Sequence, residues 1–282
     1  MSVDAHIHFW RLARGDNLAL SPSMYPIYRD LEPPDLRPHL DAAGVRRIIA
    51  VQAAETLAEN LYTLGLARRF PWIAGVVGWI DAASPSVIEE VAALSSNPRF
   101  KGVRPVRDDN RSIAWMLDAG LEPGWKAFSD AGLVLEFLVQ DYREVALVTE
   151  FVTAHPAMSV VLDHCAKPDI AGGRFEPWAA DIAALARHRQ VACKFSGLLN
   201  CAAPGAGAAA LAPYAQHVLQ VFGADRVVWA SDWPPLELAA TYGDWRRVSL
   251  ELLANLTPAE RLAVLGGNAE RIYRLAPDGK ET

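Results

Sequence analysis

Eight short apolar or β-branched runs recur along the 282 residues, and their spacing constrains the fold more than any other feature. They cover residues 3–10, 46–53, 73–80, 100–106, 133–139, 159–165, 191–197 and 227–234. From the second onward their starts lie 27, 27, 33, 26, 32 and 36 residues apart, an interval that holds one strand, one helix and two turns. The gaps carry helical patterns, as at 55–70, 85–95, 142–154 and 177–187, with apolar residues at three- and four-residue steps. Pro85 and Pro177 stand where a first helical turn accepts proline. Strands that alternate with helices pair in parallel, because the intervening helix carries the chain back to the same end of the sheet. Eight such units predict closure into a TIM-type eight-stranded (β/α) barrel. No linker or shift in composition divides the chain, so residues 1–282 read as a single barrel domain. The stretches 11–34 and 198–207 read as loops over the barrel mouth, where active sites form.

Composition narrows the class of partner. A hydrophobic fraction of 51% with 21% charged residues fits a protein with a sizeable core. The formal net charge of −6 gives no electrostatic reason to expect nucleic acid or an anionic membrane surface. No window approaches the roughly 18 apolar residues that span a bilayer. The three cysteines, Cys165, Cys193 and Cys201, are odd in number and lack metal-finger spacing, which suits a reducing compartment. With no basic segment followed by an apolar run at the N-terminus, a cytoplasmic location is expected. A homo-oligomer stays open.

The polar residues at the strand ends carry the chemistry. Asp4, His6 and His8 alternate along the first run and are expected to share one face, with Ala5, Ile7 and Phe9 on the other. Two imidazoles at i and i+2, joined by a carboxylate from a neighbouring strand, form a half-shell for a divalent metal. Asp232, in the eighth run, is that carboxylate. The other runs place Gln52, Trp79, Arg104, Glu136, Asp163 with His164, and Lys194 with Ser196 towards one end. Residues scattered over the whole sequence thus converge on one mouth. Each has a plain alternative: a hydrogen-bonded core histidine, a turn-capping aspartate at Asp232, a structural ion pair for Arg104 or Glu136, packing for Trp10, Trp79 and Trp233.

Five blocks, 4–10, 73–79, 161–168, 193–198 and 231–234, together resemble the amidohydrolase superfamily, and within it the sugar-acid lactonase branch. The resemblance runs from Val3 to about Leu275, and residues 266–273 resemble the family's last helix. It implies a distorted α/β barrel that hydrolyses a cyclic ester, with a sugar-acid lactone as its small-molecule partner. Many members hold two metals on a carboxylated lysine of the fourth strand. Here that strand carries Lys101 at its start and Arg104 towards the mouth, and the fifth supplies Glu136 instead of a histidine. At most one Zn or Mn is therefore expected, on His6, His8 and Asp232, and metal-free catalysis stays open.

On this reading Asp232 is the general base and His6, His8 and His164 complete the catalytic set. Arg104, Gln52, Trp79, Lys194 and Trp233 are expected to bind substrate. Arg107 and Arg111 offer further cations, which would suit a pyrone dicarboxylate instead. A decarboxylase of the same superfamily and a non-catalytic sugar-acid-binding barrel are the remaining alternatives.

Overall fold

The computed structural model describes residues 2–106 and 112–277; Arg107 and Arg111 lie outside the described residues. Its eight strands form one parallel sheet in sequence order. They are β1 (Val3–Ile7), β2 (Arg47–Val51), β3 (Ile73–Gly78), β4 (Phe100–Val103), β5 (Val134–Phe137), β6 (Val160–Leu162), β7 (Val191–Phe195) and β8 (Val227–Trp229). The helices are α1 (Pro33–Ala43), α2 (Leu57–Arg69), α3 (Val87–Ser95), α4 (Glu122–Asp130), α5 (Val145–Ala154), α6 (Trp178–Leu185), α7 (Ala208–Phe222), α8 (Tyr242–Leu252), α9 (Pro258–Leu262) and α10 (Asn268–Ile272). Each strand falls inside an apolar run, as the spacing predicts.

Alternation along the strands builds two cores. One side chain set, including Ile49, Val51, Val134, Val161 and Val228, fills the barrel interior. The other, including Ile48, Leu135, Leu162, Phe195 and Trp229, packs outward against the helices. Ala269, Tyr273 and Leu275, in and just after α10, join the inner set and close the barrel floor. Lys101 lies at that floor, donating to the Arg274 carbonyl at 2.9 Å, far from the mouth as expected.

Strand β1 departs from the expected alternation, and the departure makes the site. Its pairing with β2 runs from Asp4 opposite Ile48 to Ile7 opposite Ala50, three residues against two. That extra residue is a β-bulge, which swaps the faces beyond it. Val3 and Ala5 therefore lie in the inner core, whereas Ile7 and Phe9 lie in the outer one. The expectation that Asp4 shares a face with His6 and His8 is thus corrected. Asp4 turns outward to α8, where the Tyr242 hydroxyl donates to it at 2.8 Å.

Closure between β1 and β8 uses few backbone bonds. The Asp232 amide donates to the His6 carbonyl at 3.0 Å and the His8 amide to the Trp233 carbonyl at 2.9 Å. The Asp4 carboxylate supplies the rest, accepting from the amides of His6 at 3.2 Å and Ser231 at 2.9 Å. One carboxylate thereby satisfies amide donors on both sides of the seam.

Candidate active site

The backbone bond between Asp232 and His6 sets the acid against the histidine doublet. Asp232 Oδ1 lies 3.6 Å from His8 Nε2 and 3.7 Å from His6 Nε2, and the two Nε2 atoms are 3.0 Å apart. Asp232 Oδ2 lies 3.9 Å from His164 Nε2. Asp232 adopts φ +62°, a left-handed backbone that a non-glycine residue holds only when its surroundings dictate it.

The imidazoles are fixed from behind. His8 Nδ1 lies 3.0 Å from the Val51 carbonyl, so Nδ1 carries the proton and Nε2 presents a lone pair. His164 Nδ1 pairs with Ser196 Oγ at 2.9 Å, which aims Nε2 at Asp232. Burial, the largest influence on each, lowers the pKa of His6, His8 and His164, so all three rings are neutral near pH 7. Burial also pushes the Asp232 carboxyl up, but the pull of His164, His8 and His6 prevails and holds it well below the usual carboxylate range.

Beneath the mouth lies a buried ion network. Lys194 Nζ sits 2.6 Å from Glu136 Oε2, 3.2 Å from Asp163 Oδ1 and 2.9 Å from His6 Nδ1. Arg104 reaches Asp163 Oδ2 at 3.4 Å and the Gln52 carbonyl at 2.9 Å, with one terminal nitrogen 3.3 Å from His6 Nε2. Tyr273 on the floor donates its hydroxyl to Glu136. Burial pushes the Asp163 carboxyl up, but Lys194 and then His6 outweigh it and hold it well below its usual range. Glu136 faces this network and the floor, so it is an interior ion-pair partner and not a ligand at the mouth.

Several expected substrate contacts are corrected by these positions. Lys194 is fully buried under His6. Gln52 is buried, and its side-chain amide donates to the Arg104 carbonyl at 3.2 Å, so it braces Arg104. Trp233 is fully buried among the outer core residues, beside Phe9 and His39, with its indole nitrogen on Glu237. It cannot cover a ligand from there. Arg104 is 6% exposed and serves first as counter-charge to Asp163. Trp79 remains half-buried at the rim, its indole donating to the Val106 carbonyl at 2.8 Å.

The sequence reading did not single out Asp4 as the β1–β8 staple, nor Gly197 beside His164. Gly197 has φ +71°, and a Cβ there would stand 2.7 Å from His164 Cβ. The glycine leaves room for the histidine.

The donor set fits one divalent metal. Two ligands about 2.0–2.1 Å from a tetrahedral ion lie roughly 3.4 Å apart. His6 Nε2, His8 Nε2 and Asp232 Oδ1 span 3.0 to 3.7 Å, with His8 already in the ligating tautomer. His6, Asp163 and His164 form a second cluster of suitable donors. There, Lys194 and Arg104 already neutralise Asp163 where a second ion would sit.

Residues 3–275 match the protein family described as Amidohydrolase. The chain is 37% identical to an L-fucono-1,5-lactonase of Burkholderia ambifaria over 99% of its own length and 98% of that protein. It is 33% identical to an L-fucono-1,5-lactonase of Burkholderia multivorans, covering 98% and 96%. A crystal structure of an amidohydrolase from Burkholderia multivorans with bound zinc superposes with a TM-score of 0.89 at 33% identity, covering 98% and 100%.

Proposed function

Because the chain belongs to the amidohydrolase family, we propose that it opens a sugar-acid lactone ring by water attack, with Asp232 as general base. The observation that carries this reading is the ionised Asp232 carboxylate set against three neutral imidazoles at the barrel mouth. The L-fucono-1,5-lactonases at 37% and 33% identity support the substrate class.

Ester hydrolysis needs three things: removal of a proton from water, stabilisation of the oxyanion, and a proton for the departing alkoxide. Asp232 takes the water proton and returns it to the ring oxygen. With the Ser196 hydroxyl as donor to its Nδ1, 2.9 Å away, His164 would direct an Nε2–H into the mouth as an oxyanion donor. Arg104 and Lys194 hold Asp163 and His6 in place beneath the mouth.

One zinc or manganese would be held by His6, His8 and Asp232. When bound, it would lower the pKa of a coordinated water and polarise the carbonyl. The three free cysteines favour a cytoplasmic setting; among the described residues no helix is long and apolar enough to cross a membrane.

The test is kcat/KM on L-fucono-1,5-lactone beside pyrone dicarboxylate, with carbon dioxide release from aromatic acids as a control. Preference for the hydroxylated lactone is expected. Preference for the dicarboxylate would overturn the substrate class, and carbon dioxide release would overturn the reaction.

A further inference from the structure

The segment after β6 carries four consecutive non-glycine residues with positive φ: His164 at 50°, Cys165 at 51°, Ala166 at 57° and Lys167 at 50°. Left-handed backbone is unfavourable for each of these residues, so the surroundings must impose the turn. They do so from several sides. The Trp178 indole of α6 donates to the Cys165 carbonyl at 2.8 Å, and the Cys165 thiol donates to the Lys194 carbonyl at 3.3 Å. Gly197 leaves the space that His164 fills. The Lys167 amide closes the turn on the His164 carbonyl at 2.9 Å. With three residues per turn, side chains at i and i+3 eclipse. Lys167 therefore projects on the same side as His164, whose Nε2 faces Asp232.

Lys167 also lines a cavity of about 430 Å³ along the β5–β7 side of the mouth. Most charges of its wall are already paired: Arg143 with Asp141, and Arg174 with Asp169 at 2.6 Å. Lys167 instead donates to the neutral amide oxygen of Gln140 at 3.0 Å. An ammonium has three donors, and this bond engages one. Burial pushes the Lys167 amine below its usual range, while the Asp232 carboxylate opposes that shift and favours the charged form.

We propose, resting on the lactonase reading, that Lys167 is a substrate-recognition residue whose ammonium, braced by Gln140, takes a ring hydroxyl of the lactone and seats its carbonyl over Asp232. The strained turn thus delivers two functions from one strand end: His164 to the reacting carbonyl and Lys167 to the ring.

The test compares L-fucono-1,5-lactone with δ-valerolactone, a six-membered lactone without hydroxyls. Lys167→Met should lower kcat/KM on the hydroxylated ring about 10- to 100-fold, mainly through KM, and at least about fivefold less on δ-valerolactone. Lys167→Arg should recover part of the loss. Equal losses on both rings, or none, would overturn the proposal. If Lys167→Met fails to fold, Gln140→Leu should show the same selectivity with a smaller loss, and a uniform effect would overturn it. Failure of the wild type to open either lactone would end the lactonase reading itself. In that event calorimetry with the ring-opened acid, L-fuconate, still decides: weaker binding by Lys167→Met supports the proposal, and unchanged or undetectable binding overturns it.

Discussion

Asp232 donates its backbone amide to the His6 carbonyl at 3.0 Å while its carboxylate faces His6 Nε2 at 3.7 Å. One of the two backbone bonds that close the barrel therefore also assembles the site. Anything that loosens the β1–β8 seam should reduce catalysis before it reduces folding.

Gly197 tests how tightly His164 is held. Gly197→Ala places a methyl 2.7 Å from the His164 Cβ, on a backbone with φ +71°. It should cost about 1–3 kcal/mol of stability. Displacement of His164 should also lower kcat more than it raises KM. Thermal unfolding together with steady-state kinetics reads both, and an unchanged kcat would show that His164 does not need its present position.

The pH profile follows from the shifted histidines. Their folded pKa values lie below the ordinary value of about 6.5, and Asp232 stays ionised there. Activity should form a plateau through neutral pH and fall only below about pH 6.5, as the first imidazole charges. A limb that rises above neutrality would contradict the neutral-histidine site.

Asp4 makes a stability prediction of definite sign. Burial, only partly offset by its hydrogen bonds to Ser231, Tyr242 and His6, raises its carboxyl to about 6. Between the ordinary carboxylate value and 6 the folded state binds the extra proton, so this group's contribution falls as pH rises through that window. The cost at neutral pH is about 3 kcal/mol at most. Asp4→Asn keeps an acceptor for the two amides and removes the charge. Relative to the wild type, it should gain stability as pH increases from about 4 to 6. Denaturant melts across that range decide it; a constant difference would show that Asp4 does not titrate there.

Metal content separates one site from two. Protein grown with zinc or manganese should retain no more than one equivalent per chain, and His8→Ala should lose it. Two equivalents surviving dialysis would mean that Asp163 and His164 hold a second ion despite Lys194 and Arg104.

The barrel was legible because its strands and helices have different periods, and because eight units fit one closed architecture. His6, His8, His164 and Asp232 were legible because strand ends meet at one mouth. Depth was not. Alternation tells inside from outside but not how far down the axis a residue lies. Lys194 is two residues before Ser196, about 6–7 Å deeper, and so meets Glu136 and Asp163 instead of solvent. The β1 bulge hides the outward turn of Asp4, because an inserted residue has no sequence signature there. Trp233 follows a left-handed Asp232, and that reversal sends it into the outer core.

The most direct measurement of the central claim is turnover of L-fucono-1,5-lactone by Asp232→Asn, with folding verified by circular dichroism. Loss of the base should lower kcat by about two to four orders of magnitude with a smaller change in KM. A correctly folded Asp232→Asn protein with near wild-type kcat would contradict the account.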